Sequence, residues 1–181
     1  MFQRDTLLAG LVVWITGISG AGKTVTARAL VAELRALGHP VVHLDGDEVR
    51  EIVGDNLGHS EPERIQNAFR LSRFCRFLHD QGLVVVCSTM SLYPEIWEWN
   101  RAHIKNYFEV FLKVSLETAR LRDPKGHYGK GKDVVGVTLS LHEPKNPHLV
   151  LSGEPGKGEV VASNASGIAQ ALQKHFPSQL Q

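Results

Sequence analysis

The sequence predicts an α/β fold: a mostly parallel β-sheet with helices packed on both faces. Three observations predict it. Short apolar runs rich in β-branched residues alternate with helix-like segments. The first run ends on a glycine-rich loop that opens the first of those helices. Polar residues with chemical capacity follow the runs, at the carboxyl ends of the strands, where ligands gather in such sheets.

Each element has a local reason. Leu11-Val12-Val13-Trp14-Ile15-Thr16 reads as a buried parallel strand. A helix is expected over about 23–37, with Gly38 as its stop. Val41-Val42-His43-Leu44 is the second strand and runs into Asp45-Gly46-Asp47, which is also good turn chemistry. A long helix over about 61–81 has Ser60 as its N-cap and Gly82 as its stop. Leu83-Val84-Val85-Val86-Cys87 is the third strand, and Pro94 opens a helix reaching about residue 105. A fourth strand covers about 108–114 and a short helix about 115–121. The pattern then breaks over about 122–132, where Gly126, Gly129 and Gly131 lie among Arg122, Lys125, Lys130 and Lys132. This is a basic lid loop. Glu143-Pro144-Lys145-Asn146-Pro147 is irregular, and a strand near 149–151 and a helix over about 166–175 close the pattern. No linker or repeat divides the 181 residues, so a single domain over 1–181 is expected.

Hydrophobic residues make up 43% and charged residues 22%, an ordinary globular balance. The formal net charge of +1 argues against a general nucleic-acid binder. No run approaches the ~20 apolar residues of a membrane span. The polar opening Met1-Phe2-Gln3-Arg4-Asp5-Thr6 does not resemble a signal peptide. A cytoplasmic protein with no membrane partner is therefore expected. Cys75 and Cys87 read as reduced core thiols. The nine histidines form no HExxH motif, so no zinc site is expected.

The segment Gly17-Ile18-Ser19-Gly20-Ala21-Gly22-Lys23-Thr24 fits GxxxxGK[ST] in full, after a strand and at the start of a helix. This context predicts a P-loop NTPase fold. Glycines let successive backbone amides face inward, and the helix adds its positive end. Gly17, Ser19, Gly20, Ala21, Gly22, Lys23 and Thr24 are the expected triphosphate cradle. Lys23 would reach the terminal phosphates and Thr24 would ligate Mg²⁺. The third strand ends without the aspartate that many P-loop proteins carry there. Asp45 and Asp47 are then the expected metal-side and base carboxylates. Arg50, Arg64 and Arg70 could each grip a phosphate or sulfate through a bidentate fork. The basic lid could close over the triphosphate and exclude water, with Arg122 on the nucleotide side.

Beyond the glycine loop, three segments resemble the adenylyl-sulfate kinase family: Leu44-Asp45-Gly46-Asp47-Glu48-Val49-Arg50, Asn56-Leu57-Gly58-His59-Ser60 with Arg64 and Asn67, and Arg122-Asp123-Pro124-Lys125-Gly126-His127-Tyr128. The resemblance covers about Val13 to Leu151. It implies transfer of the γ-phosphate of ATP to the 3′-hydroxyl of a nucleotide's ribose. Lys23, Asp45 and Asp47 would then be catalytic, and Thr24 and Asp45 would face the metal. Which of the two aspartates is the base stays open. Arg50, Arg64 and Asn67 would bind the acceptor nucleotide, Ser91 matches an acceptor-side serine, and Lys125 belongs to the lid. Family members are often dimers, which implies a homodimer.

The chain departs from the family mainly on the acceptor side. Phe69 stands where an arginine is usual, and Leu92 where a proline is usual. His59 replaces an aromatic residue and would offer a hydrogen bond to a base edge. Only Gly136 remains of a family segment aligned with Gly136-Val137-Thr138-Leu139-Ser140-Leu141-His142. The alternative reading is a relative with another acceptor, such as the cytidine diphosphoramidate kinases. A nucleotide-dependent switch and a catalytically silent subunit are the non-enzymatic alternatives.

Overall fold

The first and third β-branched runs bury completely because helices cover the sheet on both sides. The computed structural model describes residues 10–54, 57–58, 60–123, 126, 128, 142–154, 160–178 and 180. The elements in chain order are β1 (Leu11–Thr16), α1 (Lys23–Ala36), β2 (Val41–Asp45), α2 (Gly46–Ile52), α3 (Glu61–His79), β3 (Val84–Thr89), α4 (Pro94–His103), β4 (Tyr107–Lys113), α5 (Leu116–Arg122), β5 (Leu149–Ser152) and α6 (Val160–His175). The strands form one parallel sheet in the order β2-β3-β1-β4-β5. From β1 the chain crosses to the edge strand β2, returns through β3 and passes β1 to reach β4 and β5, so the loop after the central β1 sits where the direction of winding changes.

One face of the sheet carries Leu11, Val13, Ile15, Val86 and Val110, packed against Leu30 and Leu34 of α1 and Ile168 and Leu172 of α6. The opposite face carries Val12, Trp14, Val85 and Cys87, packed against Val49 of α2, Leu71 and Cys75 of α3 and Ile96 of α4. Cys75 and Cys87 are buried free thiols, as expected. No described helix is long and apolar enough to cross a membrane.

Two helices differ from expectation. Asp45-Gly46-Asp47, read only as the end of the second strand, opens an additional helix, α2, with Asp45 as its N-cap. The Asp45 side chain caps it by accepting the Asp47 amide at 3.0 Å, and Val49 anchors its inner side in the core. α6 begins at Val160, six residues before the expected start at Ser166, because burial of Asn164 and Ala165 outweighs the strand preference of Val160-Val161. α3 begins as read, with a reciprocal capping box between Ser60 and Glu63.

A buried polar cluster ties the amino end of β4 to α4. Both Glu109 carboxylate oxygens lie 3.0 Å from the Arg101 guanidinium, and Oε2 also accepts the Tyr107 hydroxyl at 3.1 Å. The Glu109 amide donates to His148 Nδ1 at 3.0 Å, which requires an unprotonated Nδ1. Burial, then His175 and Arg101, holds the His148 pKa below its ordinary value. Such a histidine adds stability above its unfolded pKa near 6.5, and that contribution is lost as pH falls through the lower folded value. The native protein should exceed His148→Gln in unfolding free energy by about 1 kcal/mol at neutral pH. The gap should narrow as pH falls below 6.5, as read by urea unfolding. A gap independent of pH would remove His148 from the titration.

Candidate active site

The carboxyl ends of β1, β2 and β3 open onto a cavity of about 700 Å³. One wall is the glycine loop. α1 starts there on Gly22, whose φ of +92° suits glycine and whose missing side chain leaves the first-turn amides without a side-chain cap. Gly20, at φ +78°, lies against α5, where a Cβ would meet the Ala119 carbonyl oxygen at 2.9 Å. Gly17 is buried beneath the loop and does not line the cavity, whereas Ser19, Gly20, Ala21, Gly22, Lys23 and Thr24 do.

Three donors hold the loop's carbonyls. Lys23 Nζ donates to the Ile18 oxygen at 2.8 Å, the Tyr128 hydroxyl to the Ser19 oxygen at 3.0 Å, and Arg122 to the Gly20 oxygen at 3.0 Å. Anchoring those carbonyls favours amides turned toward the cavity. Arg122 and Tyr128 come from the segment read as a lid; Lys125 and most of that segment lie outside the described residues.

Asp45 is buried at the centre of the floor. Its Oδ2 accepts Thr24 Oγ1 at 2.7 Å and Ser88 Oγ at 2.7 Å, while Oδ1 accepts the Asp47 amide at 3.0 Å. Burial pushes the Asp45 carboxyl upward, but the hydrogen bonds from Ser88, Thr24 and Asp47 outweigh it and hold the pKa below the usual value. Asp45 is therefore a fixed anion. Behind it, His43 Nε2 lies 3.0 Å from Ser88 Oγ. Burial lowers the His43 pKa more than the Asp45 and Glu48 carboxylates raise it.

Asp47 is exposed on the first turn of α2 and lines the same cavity. Thr24 and Asp45 together present two hard oxygen donors, the kind Mg²⁺ prefers. No group of three or more His, Cys, Asp or Glu side chains suited to a metal occurs among the described residues. The pair thus fits an ion that draws its other ligands from phosphate oxygens and water.

The opposite wall contains Arg50, Arg64, Asn67, Ser91 and Tyr93. Asn67 Oδ1 and the Tyr93 hydroxyl are buried there without a hydrogen-bond partner among the described residues, an arrangement that suits a polar ligand. Arg50 donates to the Gly58 carbonyl at 2.6 Å and so braces the loop before α3. Ser91 Oγ pairs with Thr89 Oγ1 at 2.9 Å, and its carbonyl accepts Trp97 Nε1 at 3.1 Å. His59 lies outside the described residues, as do positions 136–141 of the substituted segment. Arg70 does not line the cavity. Phe69 turns away from it to meet Trp99 edge-on at 6.3 Å between ring centroids, with the Arg73 guanidinium 5.8 Å from the Phe69 centroid.

Sequence reasoning missed several cavity residues, among them Val25, Thr26 and Arg28 of α1 and Gly153, Val160, Val161 and Asn164 near the amino end of α6. Val160-Val161 was assigned to no element; the signal for a helix there is the spacing of Asn164, Ile168 and Leu172. Ser88 was visible at a strand end, but its bond to Asp45 depends on the β2–β3 register.

Comparison with known proteins agrees with this geometry. The family description "Adenylylsulphate kinase" matches residues 9–152. A cytidine diphosphoramidate kinase of Campylobacter jejuni is 36% identical over 139 residues, covering 74% of this chain and 81% of that protein. A probable adenylyl-sulfate kinase of Archaeoglobus fulgidus is 39% identical over 145 residues, covering 77% of this chain and 94% of that protein. Among solved structures, the APS kinase of Mycobacterium tuberculosis in complex with AMPPNP and APS superposes with a TM-score of 0.83 at 30% identity, covering 91% of this chain and 98% of the other. The glycine loop, the carboxylates at its mouth and these matches lead to one assignment: the chain belongs to the adenylylsulphate kinase family, phosphotransferases that act on a hydroxyl group.

Proposed function

We propose that the protein transfers the γ-phosphoryl group of ATP to the 3′-hydroxyl of adenylyl sulfate. The observation that carries this reading is a single cavity with two chemically distinct walls meeting at Asp45 and Asp47. The glycine-loop wall offers uncapped helix amides and the Lys23 ammonium to a triphosphate. The facing wall offers Arg50 and Arg64 to an acidic nucleotide and the unsatisfied Asn67 and Tyr93 atoms to its polar edges. Solved APS kinase with AMPPNP and APS supports the same pairing of ligands.

In this reading Lys23 leaves the Ile18 carbonyl to neutralise charge on the transferring phosphoryl oxygens. Thr24 and Asp45 would hold Mg²⁺, which when bound would supply further charge neutralisation for the transfer. Asp47 takes the proton of the acceptor hydroxyl, which its position on the first turn of α2 allows once the acceptor lies along the Arg50 and Arg64 wall. Arg122 and Tyr128 hold the loop from above and limit water at the reacting atoms.

The test is ADP release with Mg-ATP and a panel of acceptors: adenylyl sulfate, cytidine diphosphoramidate, and simple nucleoside mono- and diphosphates. ADP release should depend on adenylyl sulfate, and Asp47→Asn should lower kcat by about 100-fold with little change in the KM for ATP. Release that depends only on cytidine diphosphoramidate would reassign the acceptor. Slow release without any acceptor would make the protein a hydrolytic switch.

A further inference from the structure

We infer that Ser88, backed by His43, is a positioning residue that aims the Asp45 carboxylate toward Thr24 and the metal side of the site. The inference rests on the proposed role of Asp45. Ser88 occupies the end of β3 and lies directly across from Asp45 in the β2–β3 register. The third strand thus contributes no carboxylate at this place and contributes a hydroxyl that steers one.

The hydrogen-bond directions follow from proton counting. The Asp45 carboxylate is an acceptor only, so the single Ser88 hydroxyl proton goes to Oδ2, over 2.7 Å. Ser88 Oγ then has only lone pairs to offer His43, and His43 Nε2 must be the donor over 3.0 Å. Nε2 carries a proton in one neutral tautomer and in the imidazolium, so the relay does not require His43 to titrate. With Thr24 on Oδ2 and the Asp47 amide on Oδ1, both carboxylate oxygens are engaged and the carboxylate plane is fixed. Without Ser88, the side chain keeps its two contacts to Thr24 and Asp47 but loses the one that comes from the rigid sheet. Ser88 is itself buried, and no other side chain of β3 is seen to donate to Oδ2 in its place.

Ser88→Ala should lower kcat by about 10- to 100-fold, the usual effect of removing a partner that orients a metal-side ligand. KM for the acceptor should stay near the native value, and Ser88→Thr, which keeps the hydroxyl, should recover most of the loss. A second readout does not depend on turnover. Calorimetric binding of a non-hydrolysable ATP analogue should be strengthened by Mg²⁺ in the native protein, and Ser88→Ala should lose about 10-fold of that strengthening while Mg²⁺-free binding is kept. Adding Ser88→Ala to Asp45→Asn should cost nothing further, because the group it steers has already lost its charge. His43→Leu should reproduce a smaller part of the Ser88→Ala effect. Native kcat in Ser88→Ala, equal losses in Ser88→Ala and Ser88→Thr, or a fully additive double variant would each overturn the relay. If Asp45→Asn retains native turnover, the proposed function of Asp45 fails; if Asp45→Asn is impaired while Ser88→Ala is native, only the relay fails.

Discussion

Lys23→Ala should reduce kcat by about 100- to 1,000-fold, the usual loss when one preorganised charge-stabilising donor is removed from a reacting centre. Lys23 lines the cavity at the start of α1, and its ammonium reaches back to the Ile18 carbonyl at 2.8 Å. In the proposed mechanism the ammonium exchanges that carbonyl for the phosphoryl oxygens. Lys23→Arg should not restore the native rate. The guanidinium is planar and larger, and it exchanges a compact point charge for a fork. Folding should be unaffected, because the Lys23 side chain belongs to neither apolar core. Steady-state kinetics at saturating ATP and acceptor, with a thermal melt as a control, checks this. A kcat within tenfold of native would remove Lys23 from phosphoryl transfer.

Arg101→Leu should cost about 3 kcal/mol of stability, the lower end expected when one partner of a buried ion pair is removed. The lower end applies because 35% of the Arg101 side chain meets solvent, which screens part of the attraction. Glu109 is fully buried on β4, and Arg101 is the cation that offsets its charge. Burial already pushes the Glu109 carboxyl above its ordinary value of 4.5 despite Arg101 and the Tyr107 hydroxyl, which both favour the charged form. Without Arg101 the folded value rises further. A carboxyl whose folded pKa exceeds its unfolded one weakens the fold at high pH, and the loss shrinks as pH falls from the folded value toward 4.5. Urea unfolding of native and variant protein across that range reads both effects. Arg101→Leu/Glu109→Gln should recover most of the loss at neutral pH. An Arg101→Leu deficit that did not vary with pH would show that lost packing, rather than an unpaired charge, is responsible.

Much of the fold was legible because its signals are local. β1 and β3 are continuous apolar runs with β-branched residues, and they bury completely in the middle of a parallel sheet. Ser60 and Glu63 mark the start of α3 within four residues, and Gly82, at φ +82°, marks the turn after its end. α2 was illegible for the opposite reason. Asp45-Gly46-Asp47 satisfies turn and helix-cap chemistry alike, and only the packing of Val49 under the sheet chooses between them. Phe69 shows the same limit on the acceptor side. Its identity removes a cation, but only the fold shows that the ring packs with Trp99 and leaves the cavity lining altogether.

The sequence by itself determined the glycine loop, the strand before it, the helix after it and the placing of Asp45 and Asp47 at a strand end. These depend on residues close together in the chain, where backbone sterics and short-range hydrogen bonding decide the outcome. The tertiary structure alone decided which groups meet at the carboxylate. Thr24, Asp45 and Ser88 come from α1, β2 and β3, and they converge only because strand order and register set those elements side by side. Long-range pairing depends on the collective burial of two sheet faces, and no short segment of the sequence carries that information.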